Sequence, residues 1–212
     1  MGMSGGASRL ETERLILREI TEEDAPLIVK WRSDPEVYRY FLSPRPLTAK
    51  EHLDWYKNQY LRQNNRVNWI AEEKAAGKPV GVFGIKREKT GDREGEVSYL
   101  SVPECLGKGY AAEAEISYLS APECRGKRYA AEAEISYLLA PECRGKGYAA
   151  EAVERILKFA VEMWLCHGAA ARIHGDNQES IRFIRNLGFI WSETEGSFVT
   201  YRKILEHASY TL

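Results

Sequence analysis

Apolar and polar residues alternate near the start of the chain. In Glu13-Arg-Leu-Ile-Leu-Arg-Glu19, Leu15 and Leu17 fall on one face, which predicts a strand. Thr21-Glu-Glu-Asp24 then supplies an N-cap and an acidic first turn. A short helix should follow, turning Leu27, Ile28 and Trp31 inward and stopping near Ser33-Asp34-Pro35. Pro44 and Pro46 mark a loop, and Thr48 caps a second predicted helix running to about Arg62, with Leu53, Trp55, Tyr56 and Tyr60 as its bulky residues. Val67–Ala71 and Val80–Lys86 read as strands around a turn at Ala76–Pro79, and Thr90–Gly95 turns the chain back again.

A 19-residue pattern then occurs three times in tandem, at Glu96–Ala114, Glu115–Ala133 and Glu134–Ala152. Each copy reads as an apolar strand, a Gly-rich loop and the first turn of a helix. Tandem self-similarity suggests a solenoid. The flanks are non-repetitive, however, and carry their own strands and helices, which favours an in-frame duplication inside one domain. That leaves 38 surplus residues on a base of 174. The third copy alone runs on into a long amphipathic helix, Ala149 to about Trp164, with Val153, Ile156, Leu157, Ala160, Val161 and Trp164 at helical spacing. It alone keeps Arg144 together with both Gly145 and Gly147, whereas the first copy has Leu106 and the second Arg128 at matching positions. The third copy is therefore the expected functional one. In the competing arrangement Val97–Val102 fills the sheet, and identical strands contending for one slot leave room for a strand-swapped homodimer.

His167-Gly168 reads as a helix stop, Ala170–His174 as a strand, Asp176-Asn177 to Gly188 as a helix, and Phe189–Ser192 and Phe198–Leu205 as a closing pair of strands. The order predicts an α/β (α+β) fold: a mixed, mostly antiparallel sheet flanked by helices. Residues 1–10 read as a flexible leader, and 11–212 as a single domain with the repeat at 96–152.

Composition removes several function classes. Hydrophobic content of 44% and charged content of 29% suit a globular protein, and a formal net charge of −1 lacks the footprint of a nucleic-acid binder. No apolar run has membrane-spanning length. Three of the four cysteines are one repeated position, no Cys-x-x-Cys occurs, and the four histidines lack ligand spacing. The expectation is no metal, no disulfide framework, no membrane partner and a reducing cytoplasm.

An Arg-Gly-Lys-Gly turn at a strand-to-helix junction aims backbone N–H groups and the positive end of a helix dipole at an anion. It matches neither Gly-x-x-x-x-Gly-Lys-Ser/Thr nor Gly-x-Gly-x-x-Gly. The stretch Glu134-Ile-Ser-Tyr-Leu-Leu-Ala-Pro-Glu-Cys-Arg-Gly-Lys-Gly-Tyr-Ala149, with Asn177-Gln-Glu-Ser180 and Leu187-Gly188-Phe189 downstream, resembles the GNAT acetyltransferase superfamily. Thr12–Arg18 and Trp31–Pro35 resemble its ribosomal-protein N-acetyltransferase (RimJ/RimL-like) branch. The family loop is Gln/Arg-x-x-Gly-x-Gly/Ala, and Glu142–Gly147 departs from it at Glu142.

The resemblance implies acetyl-CoA as cosubstrate, its pyrophosphate on the amides of Arg144, Gly145, Lys146, Gly147, Tyr148 and Ala149. The pantetheine arm would pair with the backbone of Leu139 and Ala140, and Asn177 would help to hold it. The reaction implied is direct attack of an amine or peptide N-terminus on the thioester, with the Leu139 amide as oxyanion donor. Glu134 is the expected base, its pKa raised by burial beside Ile135 and Leu138, with Glu96 inheriting the role if the first copy fills the sheet. Glu193 and Glu195 are lesser candidates. Many relatives carry a proton-donating Tyr where Ile184 stands, so Ser180 is the expected acid. The alternative is a catalytically impaired CoA-binding or interaction module of the same fold.

Overall fold

The computed structural model describes residues 9–87, 132–164 and 166–205. The first repeat copy and all but the last two residues of the second lie outside them, as does the turn expected at Thr90–Gly95. Among the described residues eight strands form one sheet: β1 (Arg9–Glu11), β2 (Leu15–Glu19), β3 (Arg66–Glu73), β4 (Lys78–Arg87), β5 (Glu132–Leu139), β6 (Gly168–His174), β7 (Ile190–Glu195) and β8 (Phe198–Ile204). Their order is β1-β2-β3-β4-β5-β6-β8-β7, and β5–β6 is the parallel pair. The fold class is as the element order predicts, a mixed, mostly antiparallel sheet flanked by helices.

Two groups of helices cover the sheet. On one face α4 (Tyr148–Trp164) buries Val153, Ile156, Phe159 and Ala160, and Phe159 meets Trp69 edge-on at 5.4 Å between centroids. On the other face lie α1 (Ala25–Arg32) and α3 (Ala49–Asn58), joined through the short α2 (Pro35–Tyr38). α3 starts where predicted because Thr48 and Glu51 form a capping box: Glu51 N–H donates to Thr48 Oγ1 at 3.2 Å, and Thr48 N–H to the Glu51 carboxylate at 2.9 Å. α5 (Gln178–Asn186) follows β6, and Gly188 ends it at φ 82°.

Several boundaries differ from expectation. The second helix, expected to reach about Arg62, ends at Asn58 and gives way to a 3-10 turn at Tyr60–Arg62, and Lys78 and Pro79 of the expected turn belong to β4. Arg9 and Leu10 belong to β1, with Leu10 buried, so the leader predicted over 1–10 overlaps the sheet. His167-Gly168 does not stop α4. The helix ends at Trp164, Cys166 N–H donates back to Ala160 O at 3.1 Å, and Gly168 opens β6.

Near the α1 end, Arg18 grips Asp24 with two hydrogen bonds of 2.7 and 2.8 Å and reaches Glu72 with a third at 2.8 Å. Burial works to raise the Asp24 carboxyl, yet the bonds from Arg18 and Thr21 together hold it below its ordinary value. A carboxyl lowered in the folded state stabilises at neutral pH, and that contribution disappears as pH falls through its folded pKa. Asp24→Asn should therefore cost about 2 kcal/mol at pH 7 in urea unfolding. The deficit relative to the parent should shrink as pH drops below about 4. A deficit independent of pH would refute this account.

Candidate active site

The site follows from where β5 loses its neighbour. β5 pairs antiparallel with β4 from Ala133 to Leu139, but with β6 only at Glu132, Ala133 and Glu134. Beyond Glu134 the two parallel strands diverge and the sheet opens into a V. Ala140 N–H donates to Val80 O at 2.9 Å, which makes this a hydrogen-bonded pair of the β4–β5 ladder. Antiparallel pairs alternate, so Glu134, Ser136 and Leu138 turn their backbone groups toward β4, while Tyr137 and Leu139 turn theirs into the V. The V thus offers unpaired donors and acceptors in strand geometry, ready for an extended ligand.

At the mouth of the V the chain makes a 3-10 turn (Pro141–Cys143), passes through Arg144–Gly147 and enters α4. Gly145 and Gly147 have φ of 73° and 80°, a backbone that side-chain-bearing residues rarely adopt. A Cβ on Gly147 would also stand 3.3 Å from Arg14 Nη2. Glu151 N–H is bonded to Gly147 O at 3.2 Å, so the N–H groups of the preceding turn have no helical partner. Arg144 and Lys146 are exposed and form no ion pair among the described residues. Positive side chains, free amides and a helix N-terminus converge on one spot, an arrangement of the kind that suits an anion.

The N-terminal segment braces this loop from outside the repeat. Arg14 Nη1 donates to Lys146 O at 2.9 Å and Arg14 Nε to Glu151 at 2.7 Å, while Thr12 bonds the same carboxylate. The Arg14 guanidinium also stacks 4.8 Å from the Tyr148 ring centre, and the Tyr148 hydroxyl bonds Glu73. None of these roles is readable from sequence. The partners lie 130 residues or more away for Arg14, and no local pattern announces them.

Across the V, Asn177 caps α5 by accepting the Ser180 N–H at 3.1 Å on its side-chain carbonyl. Tyr137, absent from the candidates that the sequence suggests, lies beside Ser180 and packs edge-on against Phe183 at 4.9 Å. Its buried hydroxyl has no well-formed hydrogen bond, and burial pushes the phenol up to about 12, with the neighbouring Ser180 pulling the other way.

On the opposite face, beneath α1 and α3, lies a cavity of about 450 Å³ lined by Glu134, Ser136 and Leu138 of β5. Glu134 is half-buried and stands in register with Lys86, so its setting is polar rather than the apolar one expected. A second correction concerns Ala140. Its N–H is bonded to Val80 and its carbonyl accepts from Cys143 N–H at 2.8 Å, leaving strand pairing in the V to Leu139 and Tyr137. Glu193 and Glu195 are held on β7 by Arg202 and Arg172, at 2.9 and 2.8 Å. Cys143 is buried, and burial raises its thiol, which works against the thiolate form a nucleophile needs. Among the described residues no cluster of three or more His, Cys, Asp or Glu is arranged to hold a metal, and no helix is long and apolar enough to cross a membrane.

The sequence profile of the acetyltransferase (GNAT) domain matches residues 14–120 and 123–190. The chain belongs to the GNAT family. Among curated proteins, this GNAT domain is 31% identical over 106 residues to the uncharacterized N-acetyltransferase YoaA of Bacillus subtilis, covering 49% of this chain and 60% of that one. The chain spans between 17% and 60% of the length of the curated relatives it matches. Among solved structures it superposes on spermidine N-acetyltransferase from Vibrio cholerae in complex with CoA and spermine, at a TM-score of 0.60 and 16% identity, over 89% of this chain and 93% of that one. It also superposes on RimL, a ribosomal L7/L12 alpha-N-protein acetyltransferase in complex with coenzyme A, at 0.64 and 12%, over 93% and 98%. At such identities these structures establish the shared fold.

If the Arg14 brace fixes the loop, Arg14→Ala should speed amide exchange across residues 144–148 of this GNAT domain while β6 and β8 keep their protection. Unchanged exchange in the loop would remove Arg14 from the site.

Proposed function

We propose that the protein is an acetyl-CoA-dependent N-acetyltransferase of the RimJ/RimL-like branch, working on a primary amine by direct attack. The observation that carries this reading is the V between β5 and β6, closed at its mouth by the left-handed Gly145 and Gly147 loop. The chemistry of the donors fits the cosubstrate. A pyrophosphate suits the free amides of residues 144–149 with Arg144 and Lys146, and an extended amide-bearing arm suits the backbone of Leu139 and Tyr137.

Bound there, acetyl-CoA supplies an activated thioester carbonyl. Glu134, facing the cavity, takes the proton from the incoming ammonium. The Leu139 N–H, turned into the V, serves as oxyanion donor. Ser180 and Tyr137 deliver a proton to the departing sulfur, and the elevated phenol keeps Tyr137 protonated at neutral pH, the form a donor needs. The first two repeat copies are read as surplus. Glu94, Glu113 and Glu132 stand two residues ahead of the three copies, so a chain lacking residues 96–133 still places a Glu where Glu132 now holds Arg202 at 3.0 Å.

CoA should raise the melting temperature, and Gly147→Asp should abolish that rise by placing a carboxylate and a strained φ in the anion site. Stabilisation by CoA without thiol release on any amine or peptide would favour an impaired binding module instead. Glu134→Gln should lower kcat by about 10²–10⁴, with CoA stabilisation intact. Tyr137→Phe should lower kcat and shift the alkaline limb of the pH profile. The 174-residue chain should keep CoA binding, and its failure to fold would refute the surplus reading.

A further inference from the structure

Beyond Glu134 the far wall of the V is β6. Glu134 and Ala170 are partners in register, so they face the same side of the sheet. Alternation puts Arg172 and His174 on that side too, two and four residues further along the opening. β8 continues the wall, since Arg172 pairs with Thr200 and His174 with Phe198. The Phe198 ring stands edge-on to His174 at 5.3 Å between centroids, and the Arg172 guanidinium lies 5.2 Å from the Phe198 ring centre. His174 is itself fixed. Its Nδ1 accepts the Asp176 N–H at 3.2 Å, and its backbone carbonyl accepts the Asn177 N–H at 2.9 Å.

Tyr40 reaches this wall from the other side of the V. It follows α2, and its ring lies 6.0 Å from that of His174, tilted by 44°. The Arg39 guanidinium backs it, 4.7 Å from the Tyr40 ring centre. The next residue, Phe41, lines the cavity, with the Arg32 guanidinium 4.1 Å from its ring centre. Two consecutive aromatic residues thus border the acceptor side, Phe41 at the cavity and Tyr40 at the C-terminal end of β6. The helical arm over β3, β4 and β5 thereby touches β6 across the opening.

The stretch that carries Tyr40 is lightly held. Its far end is pinned by Ser33, whose Oγ accepts the Leu47 N–H at 3.2 Å and donates to Leu47 O at 3.0 Å. In between, the backbone bonds are local, Phe41 N–H to Tyr38 O at 2.9 Å and Arg45 N–H to Ser43 O at 2.8 Å, and Leu42 is 74% exposed. A ring contact of this kind shifts an equilibrium by a factor of about 2 to 12, so a ligand of modest affinity displaces it.

We propose that Tyr40, closing on His174, is the residue that sets the size of the acceptor. A small amine reacts behind the closed contact, whereas a peptide chain has to push the ring aside. The inference rests on the acetyltransferase reading for the reaction, while the contact itself is tested without turnover.

The test compares n-propylamine with a hexapeptide carrying a free N-terminus, reading thiol release from acetyl-CoA. Tyr40→Ala should raise the peptide-to-propylamine ratio of kcat/KM by at least about threefold. Tyr40→Phe, which keeps the ring, should retain the parent ratio. His174→Ala should move the ratio as Tyr40→Ala does, and the double variant should go no further, since both changes remove one contact. A ratio that Tyr40→Ala leaves unmoved, or shifts that add in the double variant, overturn the proposal. If neither amine is turned over, carbethoxylation of His174 by diethyl pyrocarbonate, mapped by mass spectrometry, decides. It should run at least about threefold faster in Tyr40→Ala than in the parent or Tyr40→Phe, and equal rates overturn the proposal. CoA stabilisation, measured alongside, judges the acetyltransferase reading independently.

Discussion

Everything at the site depends on the short contact between β5 and β6. Three residues of parallel pairing anchor the strands, and the absence of further pairing leaves the Tyr137 and Leu139 backbone unspent. Neither strand is short of a partner on its other edge, since β4 and β8 run the length of β5 and β6. The opening is therefore held by the outer ladders rather than by anything inside it. Because the strands part at their C-terminal ends, the helices that come after them, α4 and α5, both begin beside the gap. One local failure of pairing thereby brings together strand backbone, a glycine loop and two helix N-termini, a juxtaposition characteristic of ligand sites at the carboxyl ends of open sheets.

The two faces of β5 divide the chemistry. Tyr137 lies beside Ser180 and packs on Phe183 of α5, and also borders the cavity under α1 and α3 that Glu134 and Ser136 line. A strand alternates faces residue by residue, so under the proposed roles positions a few residues apart would present a base to one side and a proton donor to the other. The reacting carbonyl would sit between them, in the V. On that proposal acceptor and cosubstrate would approach from different sides of the sheet, which suits a direct transfer with no covalent enzyme intermediate.

Local patterns in the sequence carried much of this, and register carried the rest. Thr48 with Glu51, the apolar stripe from Val153 to Ala160, and Gly188 after α5 each announce an element end or a buried face within a few residues. The left-handed turns at Gly145 and Gly147 were legible for the same reason. By contrast, the Arg14 brace on Lys146 and the Arg66–Lys86–Glu134 row join residues from separate elements. Such pairs exist only once the strands are aligned, and a single sequence does not state that alignment. The same applies to Ala140, whose place at the edge of the V concealed that its N–H already belongs to Val80.

The repeat sets the hardest question of alignment, because near-identical strands and loops cannot select among themselves by their own contacts. The residues downstream of each copy can. In the third copy Val153, Ile156, Leu157 and Ala160 continue the helix and are buried against the sheet. Shifted back by one period, those four positions would be Glu134, Tyr137, Leu138 and Pro141. A Glu and a Pro in that stripe would forfeit buried apolar area worth roughly 1.5–3 kcal/mol for each large side chain, and Pro in a helix interior costs about 3 kcal/mol more. The sequence that follows β5 and its loop therefore carries the apolar stripe of α4, which the earlier copies lack at the matching positions.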